Sequence, residues 1–142
     1  MNEVKNQILV IEDSKTDQYL IREALKAAEV GAQIHLVKDG LEATQFIDAA
    51  DSDPEAPCPD LILLDMNLPK KNGDDVLKHL RASQRCKNTP VLIVSSSDAP
   101  RDRAAVNDLS IAGYFRKPSD LAEYMKLGPL VKRLLEAGHL SS

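Results

Sequence analysis

Five short apolar runs, rich in β-branched residues, predict the strands of a sheet. They lie at residues 8–11, 34–37, 61–64, 91–94 and 113–115. Apolar runs of this length, without polar alternation, are typical of strands that are covered on both faces. The pattern therefore predicts a buried sheet with helices on either side.

The segments between these runs repeat apolar residues at helical spacing. The apolar positions of the five predicted helices are 20, 21, 24, 25 and 28; 43, 46, 47 and 50; 76, 77 and 80; 105, 106 and 109; and 121, 125, 130, 131 and 134. Gly128-Pro129 predicts a kink or break in the last helix, because proline removes a backbone hydrogen bond. Strands and helices that alternate in this way predict an open α/β fold with a parallel sheet, not an eight-unit barrel.

The length, charge and cysteine content of the chain limit its class. Its 142 residues suffice for one domain, residues 1–142 with a core at about 7–137. A net charge of −4 with both signs interspersed argues against direct binding of DNA or of an anionic membrane. The polar start and the lack of a long apolar stretch predict a cytoplasmic protein. Cys58 and Cys86 lie far apart without a CxxC pairing, so we expect two free thiols.

Polar side chains follow four of the five predicted strands. They are Glu12-Asp13, Asp65, Ser95-Ser96-Ser97 and Arg116-Lys117-Pro118. The carboxyl ends of parallel strands meet at one edge of a sheet, where open α/β folds bind their ligands. Each motif alone has an ordinary explanation, such as a helix cap or a turn. Their convergence at one edge indicates a site.

The residue types at this edge favour phosphoryl chemistry with a metal ion. Neighbouring carboxylates repel one another unless a cation neutralises them. Oxygen ligands without His or Cys suit Mg²⁺, with Asp13 as a direct ligand and Glu12 as a direct or water-mediated one. Asp65 then remains as the candidate nucleophile for a phosphoryl group. Mg²⁺, Lys117 and a serine hydroxyl would neutralise the charge on that group.

Taken together, these residues resemble the receiver domains of two-component signalling. The matching segments are Ile8-Leu9-Val10-Ile11-Glu12-Asp13, Asp39-Gly40, residues 60–69 with Gly73, residues 90–95 and Lys117-Pro118. The resemblance implies a flavodoxin-like receiver fold with strand order 2-1-3-4-5, and a phosphorylation switch rather than an enzyme. The segments around Asp65 and after the fifth strand are most similar to stand-alone receivers that accompany bacterial and cyanobacterial phytochromes.

The resemblance also implies roles for the acidic residues. Asp65 is the expected phosphoacceptor and a metal ligand. Glu12, Asp13 and the backbone carbonyl of Asn67 are the other residues expected to hold Mg²⁺. Glu12 stands where aspartate is commoner in the family, and this substitution keeps the chemistry.

Further roles follow from the resemblance for the fourth and fifth strands. Ser95 is the expected switch hydroxyl, and the run of three serines leaves Ser96 as the alternative. Lys117 is the cation expected to contact the phosphoryl group, and a cis peptide bond to Pro118 is expected to aim it. Tyr114 is the expected aromatic switch residue.

The expected partners are proteins. The resemblance implies a sensor histidine kinase, with a phytochrome-type kinase as one candidate, or a histidine phosphotransfer protein as phosphoryl donor. A downstream protein target would meet the surface of the fourth helix, fifth strand and fifth helix. Tyr124, Leu127 and Leu130 could supply a symmetric patch for a homodimer, the commonest oligomer if one forms.

Three other functions compete with this interpretation. A phosphatase of the haloacid dehalogenase type also uses an aspartate nucleophile and Mg²⁺, but it needs a second aspartate where this chain has Asn67. A nucleotide-binding module would show GxGxxG or GxxxxGK[ST], and the chain contains neither. A degenerate receiver that acts only as a scaffold would not need Asp65 and Lys117. Binding of a phosphoryl mimic together with Mg²⁺ would separate the last two functions from a working receiver.

Overall fold

Five parallel strands form a single sheet in the order β2-β1-β3-β4-β5. The computed structural model describes residues 6–66, 68, 70, 72–96 and 111–140, with side chains as far as residue 137. The strands are β1 (Asn6–Ile11), β2 (Ala32–Val37), β3 (Leu61–Leu64), β4 (Val91–Ser95) and β5 (Gly113–Arg116). All five predicted runs are strands, and the predicted open α/β fold with its strand order is confirmed.

Helices connect the strands wherever the structure describes the connection between them in full. The described helices are α1 (Lys15–Ala27), α2 (Gly40–Ser52), α3 (Gly73–Arg81), α4 (Leu121–Tyr124) and α5 (Leu127–Leu140). The helix predicted around residues 105–109 lies outside the described residues. The predicted break in the last helix is confirmed, because α4 ends at Tyr124 and α5 begins at Leu127. Pro129 therefore stands in the first turn of α5, where its missing N–H interrupts no helical hydrogen bond.

The alternation of side chains along each strand divides the core into two layers. In β1, Leu9 and Ile11 pack with residues of α2 and α3. Ile8 and Val10 point the other way and pack with residues of α1, α4 and α5. Full burial of each such side chain contributes about 1.5–3 kcal/mol. None of the described helices has the length and hydrophobicity needed to span a membrane.

Two glycines allow close contacts that a side chain would block. A Cβ atom at Gly128 would collide with the carbonyl oxygen of Ala24, so α5 lies directly against α1. A Cβ atom at Gly73 would lie 2.7 Å from the Cα atom of Met66. The start of α3 is therefore packed onto the backbone that follows Asp65.

The two cysteines form a disulfide, so the prediction of free thiols is wrong. Cys58, in the loop between α2 and β3, is bonded to Cys86 after α3, with their Cα atoms 5.6 Å apart. The Arg85 guanidinium also donates to three backbone carbonyls at the end of α2 and in the following loop. The two segments are thus neighbours in the fold, which their spacing in the sequence does not reveal. Disulfides are typical of oxidising environments, so the cysteines give no support to the predicted cytoplasmic location.

Candidate functional site

Three charged side chains come together at the carboxyl edge of the sheet. Glu12 follows β1, Asp65 follows β3 and Lys117 follows β5. Because side chains alternate along a strand, all three residues lie on the face of the sheet that packs against α1, α4 and α5. Glu12 and Asp65 are both buried. The strand ends thus bring these charges together as the sequence pattern indicated.

The ammonium of Lys117 lies among three carboxylates. Its Nζ atom is 2.6 Å from Glu12 Oε2, 3.1 Å from Asp17 Oδ2 and 3.1 Å from Asp65 Oδ2. Only 10% of the Lys117 side chain is exposed, so these ion pairs are shielded from water. Lys117 is therefore fixed beside the Asp65 carboxylate.

The peptide bond between Lys117 and Pro118 is trans, so the prediction of a cis bond is wrong. The backbone N–H of Lys117 donates to the carbonyl of Ser95 at 2.9 Å, which extends the pairing of β5 with β4. From this backbone position the side chain reaches Asp65 without a cis bond.

Burial and charge shift the pKa of both Glu12 and Lys117. Burial raises the pKa of Glu12 to about 7, although the hydrogen bond from Lys117 lowers this pKa. The negative charge of Asp65 contributes to the increase. Burial alone would lower the pKa of Lys117, but the hydrogen bond to Glu12 and the charge of Asp65 raise it overall. Lys117 therefore stays protonated, while Glu12 takes up a proton more readily than an ordinary glutamate does.

An acidic cluster suited to a divalent metal ion lies at the same edge. Glu12, Asp13 and Asp65 each offer a carboxylate oxygen, and these oxygens lie within 4.8 Å of one another. Asp13 is exposed, which leaves the cluster open to solvent on one side. Among the described residues the cluster consists of carboxylates alone, which matches the preference of Mg²⁺ for oxygen ligands. Asn67, the fourth predicted metal residue, lies outside the described residues.

The predicted switch residues lie on adjacent strands. Ser95 is fully buried at the end of β4, whereas Ser96 is exposed. Tyr114 is half-buried in β5, opposite Ile93, and packs against the core layer of α2 and α3. Ser95 pairs with Arg116, so Tyr114 stands two positions earlier than Ser95 along the paired strands β4 and β5.

One residue at the site, Asp17, was not predicted from the sequence. Asp17 lies in the first turn of α1, and its carboxylate contacts Lys117 and accepts a hydrogen bond from the Tyr124 hydroxyl at 2.9 Å. Ser14 is the N-cap of α1, since its side chain accepts from the Asp17 N–H. Of the patch predicted for a homodimer, Tyr124 and Leu127 are buried within the domain, so the prediction is wrong for these two residues, while Leu130 is half-buried.

Comparison with known sequences identifies the family. Residues 8–127 match the response regulator receiver domain. Response regulator Rcp1 of Synechocystis sp. is 35% identical to this chain over 120 residues, which cover 84% of this chain and 82% of Rcp1. The likeness therefore extends over most of both proteins.

Solved structures support the same assignment. The crystal structure of the phosphorylated cyanobacterial phytochrome response regulator RcpA is 32% identical and has a TM-score of 0.83, covering 93% of this chain and 94% of RcpA. The Mn²⁺-bound form of Rcp1 is 33% identical and has a TM-score of 0.79, covering 89% of this chain and 91% of Rcp1. The chain belongs to the response regulator receiver domain family.

Proposed function

We propose that Asp65 is the phosphoacceptor of this receiver domain. The observation that supports this most directly is the buried Asp65 carboxylate, 3.1 Å from the protonated Lys117 and beside two further acids. In the proposed step an oxygen of Asp65 attacks the phosphorus of a phosphohistidine. The P–N bond breaks, an O–P bond forms, and the imidazole leaves with its electron pair. Hydrolysis of the resulting acyl phosphate returns the carboxylate and inorganic phosphate.

The proposal includes Mg²⁺, held by Glu12, Asp13, Asp65 and the carbonyl of Asn67. The bound ion supplies positive charge to the phosphoryl oxygens during transfer. The acidic cluster supports this assignment, as does the Mn²⁺-bound form of the relative Rcp1. Lys117 provides a second positive charge from the protein itself.

Incubation with acetyl phosphate and Mg²⁺ is expected to add one phosphoryl group to the chain. Intact-protein mass spectrometry measures the addition, and mild alkali should remove it because acyl phosphates are labile. Chelation of the metal should prevent it. If the chain gains no phosphoryl group from acetyl phosphate or from a phosphohistidine donor, the proposed function is wrong.

Affinity for Mg²⁺ is expected to increase with pH up to about 7 and then to level off. The raised pKa of Glu12 means that, below about pH 7, a proton competes with the metal for this carboxylate. One competing proton lowers the apparent affinity about tenfold for each pH unit below that value. Calorimetric titration with Mg²⁺ at several pH values measures how the affinity depends on pH.

Glu12→Gln is the control for this prediction. The Mg²⁺ affinity of this variant should be lower than that of the wild type and nearly independent of pH above 6. A dependence on pH equal to that of the wild type would contradict the role of Glu12.

We further propose that the chain works as one domain, with a core from about residue 7 to 137, and signals by protein contact or phosphorelay. The described residues form one sheet with helices on both faces, which supports a single unit. A histidine kinase or phosphotransfer protein is the proposed donor, and the likeness to RcpA favours a phytochrome-type kinase. Ser95 and Tyr114 are proposed to carry the change to a target protein. Much of the proposed output surface, residues 97–110, lies outside the described residues.

A further inference from the structure

The Asp17 carboxylate joins α1 to two segments of the chain that follow β5. One oxygen, Oδ2, lies 3.1 Å from the Lys117 ammonium. The other, Oδ1, accepts a hydrogen bond from the Tyr124 hydroxyl at 2.9 Å. The partners are 100 and 107 residues away in the sequence. A role as an N-terminal helix residue explains neither contact, because capping and dipole effects act within the first turn.

Of the three carboxylates around Lys117, Asp17 is the one that does not belong to the acidic cluster. Glu12 and Asp65 belong to the group of oxygens that are close enough together to share a metal ion, whereas Asp17 is not among them. Glu12 also makes the shortest contact with Lys117, at 2.6 Å. A metal ion that takes Glu12 as a ligand therefore competes with Lys117 for that carboxylate. Asp17 is the partner of Lys117 that such an ion leaves in place.

Tyr124 holds Asp17 in the orientation that faces Lys117. The tyrosine is almost completely buried, and its ring contacts Phe115 with the ring centres 6.1 Å apart. Its hydroxyl is thus fixed by the packing of α4 against the sheet. Because both Asp17 oxygens have a partner, the carboxylate cannot rotate away without losing a hydrogen bond.

We propose that Asp17 is a positioning residue that keeps the Lys117 ammonium beside Asp65 when a divalent ion binds Glu12, and that Tyr124 acts through Asp17. The inference rests on the proposed function, because that function places on Asp65 the phosphoryl group that Lys117 would contact. Without Asp17, and with Glu12 bound to the metal, Asp65 is the remaining carboxylate among the described residues that would hold the ammonium, and the metal also engages Asp65. The ordered position that favours phosphoryl binding would then be lost.

Binding of a phosphoryl mimic tests this role without requiring turnover. The probe is beryllofluoride, titrated at saturating Mg²⁺ into the wild type, Asp17→Asn, Tyr124→Phe and the double variant. Asp17→Asn is expected to weaken beryllofluoride binding about tenfold or more, as for the loss of a hydrogen bond to a charged group. Tyr124→Phe should weaken it less. The double variant should bind no more weakly than Asp17→Asn alone, because Tyr124 acts through Asp17.

The controls separate positioning from a general loss of structure. The Mg²⁺ affinity of Asp17→Asn should stay within about twofold of wild type, whereas a disrupted site would lose both ligands. Glu23→Gln, which removes the same charge from α1, should change neither affinity. Thermal unfolding checks that each variant is folded. If Asp17→Asn proves unstable, Tyr124→Phe still tests the contact, because it keeps the ring in the core.

Unchanged or tighter beryllofluoride binding by Asp17→Asn, or fully additive effects in the double variant, would overturn the inference. Failure of the wild type to take up phosphoryl groups would count against the proposed function instead.

Discussion

Asp65→Asn is expected to abolish phosphorylation by acetyl phosphate and by phosphohistidine donors. The amide has nearly the same shape as the carboxylate but is not a nucleophile at neutral pH. Lys117 keeps its contacts with Glu12 and Asp17, so the cation should stay in place and the fold should persist. Mass spectrometry after incubation with donor and Mg²⁺ measures the result.

Asp75→Asn is the matched control for this substitution. Asp75 is an exposed carboxylate in the first turn of α3, outside the acidic cluster. This variant should be phosphorylated at the wild-type rate. Labelling of Asp65→Asn at the wild-type level would show that the acceptor is another residue and would remove the assignment of Asp65.

Loss of the disulfide is expected to lower the free energy of unfolding by about 3–4 kcal/mol. Cys58 and Cys86 close a loop across 28 residues, and a link of this length restricts the unfolded chain by about that amount in the chain-entropy treatment. The fold should nevertheless survive. Thr89 donates to the carbonyl of Pro59, and the side chain of Asp51 accepts hydrogen bonds from Ser83 and Arg85, so the two segments stay joined.

Urea unfolding of the wild type, with and without reductant, measures this effect. The Cys58→Ser/Cys86→Ser variant should match the reduced wild type, and its stability should not respond to reductant. Its phosphorylation rate should be unchanged, because neither cysteine belongs to the acidic cluster or contacts Lys117. Equal stability of the oxidised and reduced wild type would show that the bond contributes nothing to the fold.

The sheet was predictable because each strand is indicated by a short segment of the sequence itself. Each is a continuous apolar run, and the alternation of strands with helices restricts the connections to right-handed crossovers. The acidic residues and Lys117 were predictable for a related reason. They directly follow strands, and in a parallel sheet the ends of all strands meet at one edge.

The features that were missed depend on contacts between distant parts of the chain. Asp17 is one of several polar residues at the start of α1, and only the packing of α4 shows that its carboxylate faces Tyr124. The disulfide depends likewise on which loops become neighbours, and Cys58 and Cys86 stand in no recognisable motif. The cis bond before Pro118 was inferred from a family resemblance alone.

The contacts of Lys117 connect residues that are 105, 100 and 52 positions away in the sequence. Closing such long loops costs conformational entropy, and the paired strands must offset that cost before the ammonium meets its carboxylates. A partly folded chain that lacks β5 therefore has the acidic residues that follow β1 and β3 without the ammonium of Lys117. A local opening of β5 and α4 would likewise withdraw Lys117 and Tyr124 together, leaving Glu12 and Asp65 without their cation. Amide hydrogen exchange in β5 and α4 reports how often these elements open. The time between openings limits how long the site can keep Lys117 beside Asp65.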